Sequence, residues 1–254
     1  MFDNFLKRII KLFLKPTWSF KEISRLIFVY YSNIWFKKRF NYLKIEKKSF
    51  KPQSDDLRRI WNNIFESKPN VCLEYGSGIS SAVILDAMST YSNKGKLISI
   101  ESDNKWAKNT KKMLINSGIK GNFELKVLTP IVEKMLLRIS SKSSEFWYPS
   151  KINPSKGNFI CLKYEYIIRK ILPDFVYIDG PDPNNIRGFR SSNNEALIPC
   201  VIDILFLEKK LKKGTLILID GRDFNANILW SNFKRKWRKE IFNNQGMTLF
   251  RLIE

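Results

Sequence analysis

The chain has 254 residues, 44% of them hydrophobic, with 45 Lys/Arg against 24 Asp/Glu and a formal charge of +21. That length and apolar content suit one large domain, or one domain with an appendage. Histidine is absent, which excludes imidazole bases and His-ligated metals and leaves carboxylates, Tyr, Lys or Cys to move protons.

The basic excess favours acidic partners such as nucleic acid, anionic lipid or an anionic glycan. It is equally what a Lys-, Asn- and Ile-rich composition produces when lysines occupy solvated faces. Cys72, Cys161 and Cys200 form an odd set without CxxC spacing, unlike a disulfide framework or a zinc site. No apolar run reaches the ~18 residues of a membrane span. Lys11, Lys15 and Pro16 interrupt the early apolar residues, with no cleavage site after them. A cytoplasmic location is expected, with a peripheral position on the inner membrane face as a variant of it.

Residues 1–15, MFDNFLKRIIKLFLK, have helical periodicity. Phe2, Phe5, Leu6, Ile9, Leu12 and Phe13 share one side, and Lys7, Arg8, Lys11 and Lys15 gather on the other. Pro16 ends this helix, and Ser19 with Glu22 has capping-box spacing for a second, running to about Phe36. Twelve Lys/Arg against three Asp/Glu lie in residues 1–49. Residues 1–50 therefore read as a basic helical appendage. Within it, residues 1–36 either meet an anionic membrane surface or form a helical pair packed on the domain.

Residues 51–254 alternate helices and strands. Ser54–Ser67 has helical spacing, Val71–Tyr75 is a short buried strand, and Ser80–Thr90 is a helix. Strand Lys96–Glu101, helix Asp103–Ser117 and strand Phe123–Leu128 follow. PDFVYIDG ends a fourth strand at Gly180, Glu195–Lys213 reads as one long helix, and TLILIDG ends a fifth strand at Gly221. KEIFNNQGMTLFRLIE reads as two strands around the NNQG turn. This pattern predicts an α/β, Rossmann-like, doubly wound and mostly parallel sheet, closed by a C-terminal antiparallel strand pair. Residues 129–172, including EFWYPSKINPSKGNF, break the rhythm. They read as an insertion, either a substrate lid or a loop without ligand contact.

Ligands of such folds bind beyond the carboxyl ends of the strands, and there this sequence places Glu74, Glu101, Asp179 and Asp220. The run LEYGSGISS follows the first strand with two close glycines, which let backbone approach a ligand. GxGxxG followed by an acid about 20 residues later is the dinucleotide pattern. Here Ser81 takes the third position, and Glu74 would face a pyrophosphate with like charge.

Glu74-Tyr-Gly76-Ser-Gly78-Ile-Ser80, SIESD around Glu101 and VYIDGPDP around Asp179 resemble the motifs of class I S-adenosylmethionine-dependent methyltransferases. Ser80 stands where a third glycine often lies. The resemblance runs from about Lys68 to the C-terminus, and the paired DGPD and DGR turns resemble an uncharacterised bacterial group of that superfamily. It implies S-adenosylmethionine as cofactor, held by Glu74, Tyr75, Gly76, Ser77, Gly78, Ser80, Glu101, Ser102 and Asp179. Glu101 would take the ribose hydroxyls and Glu74 the amino acid end. Asp179 and Asp220 are the expected catalytic groups. Asp182, Arg187, Arg190 and Arg222 are the expected substrate contacts, with an anionic group suited to the arginines.

Asp179 and Asp220 also resemble the Mg²⁺-binding aspartates of catechol-type O-methyltransferases. Gly221 replaces the third, amide ligand, for which Asp182 or Asn225 would have to substitute, so no metal ligand set is assigned. The expectation is O-methylation of a small-molecule, glycan or lipid-linked acceptor. An RNA methyltransferase and a non-catalytic nucleotide-binding protein are the alternatives. No NPPY-like motif for amino nitrogens and no RNA-binding module accompanies the basic charge.

Overall fold

The computed structural model describes residues 20–43, 53–92, 94–139, 156–181, 200–242 and 246–254. Its frame is a seven-stranded sheet in the order β3-β2-β1-β6-β8-β10-β9. The strands are β1 (Val71–Tyr75), β2 (Lys96–Glu101), β3 (Asn122–Val127), β6 (Phe175–Ile178), β8 (Leu216–Ile219), β9 (Trp237–Phe242) and β10 (Met247–Leu252). From β3 to β8 neighbouring strands are parallel, and β10 runs antiparallel to both β8 and β9. The chain winds outward from β1 to β3 and then restarts on the other side of β1 with β6, so strand order switches between β1 and β6. This is the expected doubly wound, Rossmann-like sheet with its antiparallel closing pair.

The three central strands read as apolar runs because both faces are covered: β6 and β8 are buried at every position. One face packs Leu73, Tyr75, Val176 and Ile217 against helices α5 (Glu165–Lys170), α6 (Asp203–Leu207) and α7 (Asp223–Asn232). The other packs Cys72, Phe175 and Leu218 beneath a helical layer. That layer comprises α1 (Phe20–Arg39), α2 (Ser54–Ser67), α3 (Ile79–Ser89) and α4 (Asn104–Asn116). All three cysteines are buried and none is in a disulfide.

The first basic helix and Ser19 lie outside the described residues. The second helix is present as Phe20–Arg39, three residues longer than the periodicity indicates. Its C-terminal half joins the main core through Trp35 and Phe36, with Phe40 just beyond its end. Arg39 Nε and Trp61 Nε1 converge on Asp86 Oδ2 at 2.6 and 2.7 Å, tying α1 and α2 to α3.

The expected helix Glu195–Lys213 is not formed. Residues 195–199 lie outside the described set, and then come a strand β7 (Cys200–Val201), the short α6 and a 3₁₀ turn at Glu208–Lys210. Pro199 and the β-branched run after it oppose helix there. The Asn225 side chain supplies the pairing that a neighbouring strand would give: its Oδ1 accepts from Val201 N–H and its Nδ2 donates to Val201 C=O, both at 3.0 Å.

The irregular segment from Thr129 is a β-hairpin arm rather than a loop. β4 (Ile131–Arg138) pairs antiparallel with β5 (Lys156–Lys163), and β7 adds parallel to β5, giving a second, three-stranded sheet. Residues 140–155, which carry most of the EFWYPSKINPSKGNF run, lie outside the described set.

Glu208 fastens the closing strand pair. Its buried carboxylate accepts from the Lys234 and Arg235 N–H groups and from Trp237 Nε1, at 2.9–3.0 Å. Glu208→Ala leaves these donors unpaired, so a loss of about 2–5 kcal/mol is expected. It should appear as a lower urea midpoint with altered Trp fluorescence, and Glu208→Gln should restore part of it.

Candidate functional site

The β1–α3 turn and the turn after β6 are locked together backbone to backbone. Tyr75 C=O accepts from both Asp179 N–H (3.1 Å) and Gly180 N–H (2.7 Å). Gly76 has φ of +87°, and a Cβ built on Gly180 would lie 2.6 Å from Gly76 Cα. Neither position can carry a side chain without moving the other loop. Gly78 is different: a Cβ there would meet nothing within 4 Å. Its smallness answers no packing need of the protein, and the open space above it is where a ligand can lie against backbone.

Every N–H of this turn is already spent. Gly76 N–H donates to Ile100 C=O (2.9 Å), Ser77 N–H to Glu101 Oε2 (3.0 Å) and Gly78 N–H to Ser81 Oγ (3.1 Å). The turn is thus held from beneath by two carboxylates. Glu101 anchors it from β2, and Glu74 anchors it through Ser81, whose Oγ donates to Glu74 Oε2 at 2.6 Å. Ser99 Oγ donates to the same oxygen at 2.5 Å.

Glu74 is fully buried, and burial raises its pKa to about 7 against the opposing effect of the serine hydroxyls. Its Oε1 lacks a partner in good hydrogen-bond geometry, although the nearby Ser80 hydroxyl favours the charged form. Burial thus disfavours the negative charge expected of Glu74 against a ligand, and what its carboxylate does within the protein is hold the turn. Tyr75 is also core rather than rim. Its OH donates to Asp203 Oδ2 at 2.8 Å, and Tyr164 N–H donates to Oδ1 of the same buried carboxylate.

Glu101 closes β2 with both oxygens engaged. Oε1 accepts from Ser102 and Asp103 N–H, and Oε2 from Ser77 N–H and Oγ. The Ser77 hydroxyl also touches Thr110 Oγ1 at 3.2 Å, so it can turn there and leave an Oε2 lone pair to a ligand hydroxyl. Ser102 Oγ is buried and unpartnered in the protein.

Asp179 and Asp220 end the adjacent strands β6 and β8. Asp179 keeps solvent-exposed surface, yet it sits in a recess where desolvation raises its pKa, with Arg222 opposing and Glu101 reinforcing the shift. Asp220 is half-buried, and desolvation, then Asp179 and Asp56, push its carboxyl up to about 7. Tyr177 OH donates to Asp220 Oδ2 at 3.0 Å. Arg222 does not reach out as a simple substrate clamp: its Nη2 donates to the carbonyls of Asp179 (2.8 Å) and Pro181 (2.9 Å), bracing the turn after β6. Its buried Nη1 has no hydrogen-bond partner in the protein.

The structure thus brings together Glu101, Asp179, Asp220 and Arg222 beside the Gly76–Gly78 turn. Asp182, Arg187 and Arg190 lie outside the described residues. Asn225 is spent on Val201 and offers no metal ligand, and Gly221 has no side chain. Among the described residues no group of three acidic or cysteine side chains could hold a metal ion.

Two contributors escape the sequence reading. Tyr177 looks like core filler in an apolar strand, although it lies two residues before Asp179 and so on the same strand face. Asp56 looks like an ordinary acid in the first turn of α2, yet its charge reaches Asp220.

No family model and no curated protein matches the chain. Solved structures similar to it include a methyltransferase from Geobacter sulfurreducens, at 14% identity over 98% of this chain and 96% of that one, with a TM-score of 0.49. An O-methyltransferase from Bacillus cereus in complex with SAH has 11% identity, coverage of 89% and 90%, and a TM-score of 0.47. The O-methyltransferase TomG from Streptomyces achromogenes, in complex with SAM, has 12% identity, coverage of 87% and 95%, and a TM-score of 0.48. The assignment of the fold rests on the strand order itself.

The state of Glu74 can be tested by stability. Because its folded pKa is raised to about 7, its favourable contribution is complete below the unfolded value and is lost as pH rises through 7. Glu74→Gln keeps an acceptor for Ser81 and Ser99 without the ionisation. The variant should match the parent near pH 5 and exceed it at pH 8, by on the order of 2–3 kcal/mol. Denaturant melts at the two pH values measure this.

Proposed function

We propose that the chain is an S-adenosylmethionine-dependent methyltransferase acting on a hydroxyl or carboxyl oxygen of a small-molecule, glycan or lipid-linked acceptor. The observation that carries the choice of cofactor is the consumption of the Gly76, Ser77 and Gly78 N–H groups within the protein. A pyrophosphate is held by the free N–H groups of such a turn and the helix after it, and here the turn proper has none to give. What faces the ligand space instead is open backbone at Gly78, the Glu101 carboxylate and the Asp179 recess. This surface suits a ribose diol and a cationic amino acid end.

The residues present fit the cofactor. Gly78 would lie against it, Glu101 would accept from its ribose hydroxyls as Ser77 Oγ turns to Thr110, and Ser102 Oγ is a spare hydroxyl on the same rim. Bound there, S-adenosylmethionine supplies an electrophilic methyl group.

The chain's own chemistry is proton handling and positioning. Asp220, with its pKa near that of neutral solution, can take the acceptor's proton on Oδ1, the oxygen not engaged by Tyr177. Asp179 adds negative charge beside it, and Arg222 holds the turn that carries Asp179 in place. A general base of this kind contributes about two to four orders of magnitude in rate, and alignment of the two reactants supplies more. A hydroxyl acceptor with a neighbouring anionic group suits Arg222 Nη1. The hairpin arm of β4 and β5 would cover the acceptor.

Calorimetry with S-adenosylmethionine tests the cofactor. The parent should bind, Gly78→Arg should abolish binding by filling the open space, and Glu101→Ala should weaken it at least tenfold. Binding of a nicotinamide dinucleotide in place of S-adenosylmethionine would reject the reading. The base can be tested without the acceptor by carbon NMR of Asp-labelled protein. Two carboxyls, those of Asp203 and Asp220, should titrate near pH 7, and one of them should vanish in Asp220→Asn; if that variant removes no resonance titrating near pH 7, Asp220 is not the base.

A further inference from the structure

Helix α4 presents a face that the methyl-donor site does not use. Its inward side is formed by Ala107, Thr110, Met113 and Leu114, all buried. At 100° per residue, Lys105, Lys108, Lys111 and Ile115 fall within an arc of about 120° on the opposite side, and all four are exposed. Ile115 is 68% exposed, the most of any large hydrophobic residue among those described. The helix contains no acidic residue to neutralise the lysines.

The neighbouring helices continue this character. Contacts run from α1 to α2, from α2 to α3 and from α3 to α4, so the four form one layer on one face of the sheet. Tyr31 on α1 and Phe65 on α2 are 45% and 43% exposed. Asp86 on α3, which could offset the charge, is already paired with Arg39.

Lysines interleaved with bare apolar side chains are what an interfacial helix carries: ammonium groups for the headgroups, and aliphatic or aromatic groups for the acyl boundary. Nucleic acid would use the lysines but has nothing to offer Ile115. The arc also lacks the arginine and aromatic residues that read or stack on bases. Residues 1–19, which precede α1 in the chain and lie outside the described residues, have a basic, amphipathic sequence of their own.

We propose that the outer face of α4, with Ile115 at its C-terminal end, docks on an anionic lipid bilayer, so that the folded domain itself contacts the membrane. The surface lies beside, not within, the Gly76–Gly78 site, and the inference is independent of the methyl-donor reading.

The test is flotation of the full chain with vesicles of phosphatidylcholine containing about 30% phosphatidylglycerol, against pure phosphatidylcholine, at low and high salt. The parent should float with the anionic vesicles only and lose binding in high salt. The Lys105→Glu/Lys108→Glu/Lys111→Glu variant should bind at least about tenfold more weakly, and the milder triple Gln variant should fall between. Ile115→Ser should weaken binding without changing its salt dependence. Unchanged calorimetric binding of S-adenosylmethionine by the triple variant, or an unchanged melt should the parent bind none, shows that the fold is intact.

Flotation of the triple Glu variant equal to the parent's overturns the proposal. So does its complete loss on deleting residues 1–19, which would place the anchor there alone. Displacement from vesicles by RNA, with RNA binding insensitive to Ile115→Ser, assigns the lysines to nucleic acid and overturns it as well.

Discussion

The contact on which the rest of the site depends is the passage of Gly76 against Gly180. Two strand-end turns can share one carbonyl, that of Tyr75, only because neither has a Cβ at the crossing. The crossing sits at the switch in strand order, between β1 and β6, where the loops of a doubly wound sheet diverge and leave a crevice. Here the crevice floor is pinned shut by backbone, and the space opens one residue further on, above Gly78. Arg222 then reaches across from β8 to hold the far side of the same turn. Three consecutive parallel strands are in this way fixed relative to one another at their functional ends.

The carboxylates around that crossing divide into two kinds. Glu74 and Asp203 are buried with internal donors and act as internal struts whose burial raises their pKa values to about 7. Asp179 and Asp220 are raised too, but both keep access to solvent from the recess. A raised pKa alone does not distinguish a strut from a base; access does. Several acids whose charged forms burial disfavours therefore lie close together, which is costly for a fold.

Much of the frame was legible from the residues. Buried parallel strands announce themselves as unbroken apolar runs, and the acids at their ends stood out because nothing in a strand interior explains them. The closing strand pair lies on either side of NNQG as the alternation indicates, with residues 243–245 themselves outside the described set. Over its described part, the helix expected at Glu195–Lys213 gives way to a strand and short turns, because Cys200 and Val201 pair with β5 on one edge and an Asn side chain 24 residues later takes the place of a strand on the other. Within the site, the identities of Gly76 and Gly78 were readable but not their difference. Two glycines in one motif serve opposite ends, one excluded by protein and one open to a ligand, and only the position of Gly180 reveals which is which. The direction of the Glu74 and Tyr75 side chains was likewise hidden, since motif position says nothing about the partners Ser81, Ser99 and Asp203 supply.

The second sheet takes two strands from the segment before β6 and its third, β7, from the segment after it. The Asn225 amide then grips that third strand from α7. An arm assembled from both flanks of a central strand cannot be exchanged as a cassette. Transplanting β4 and β5 alone from a relative would leave β7 and Asn225 without their counterpart. Diversification of this arm would thus have to proceed by point changes along the existing strands, or by coordinated replacement of two distant stretches of the gene.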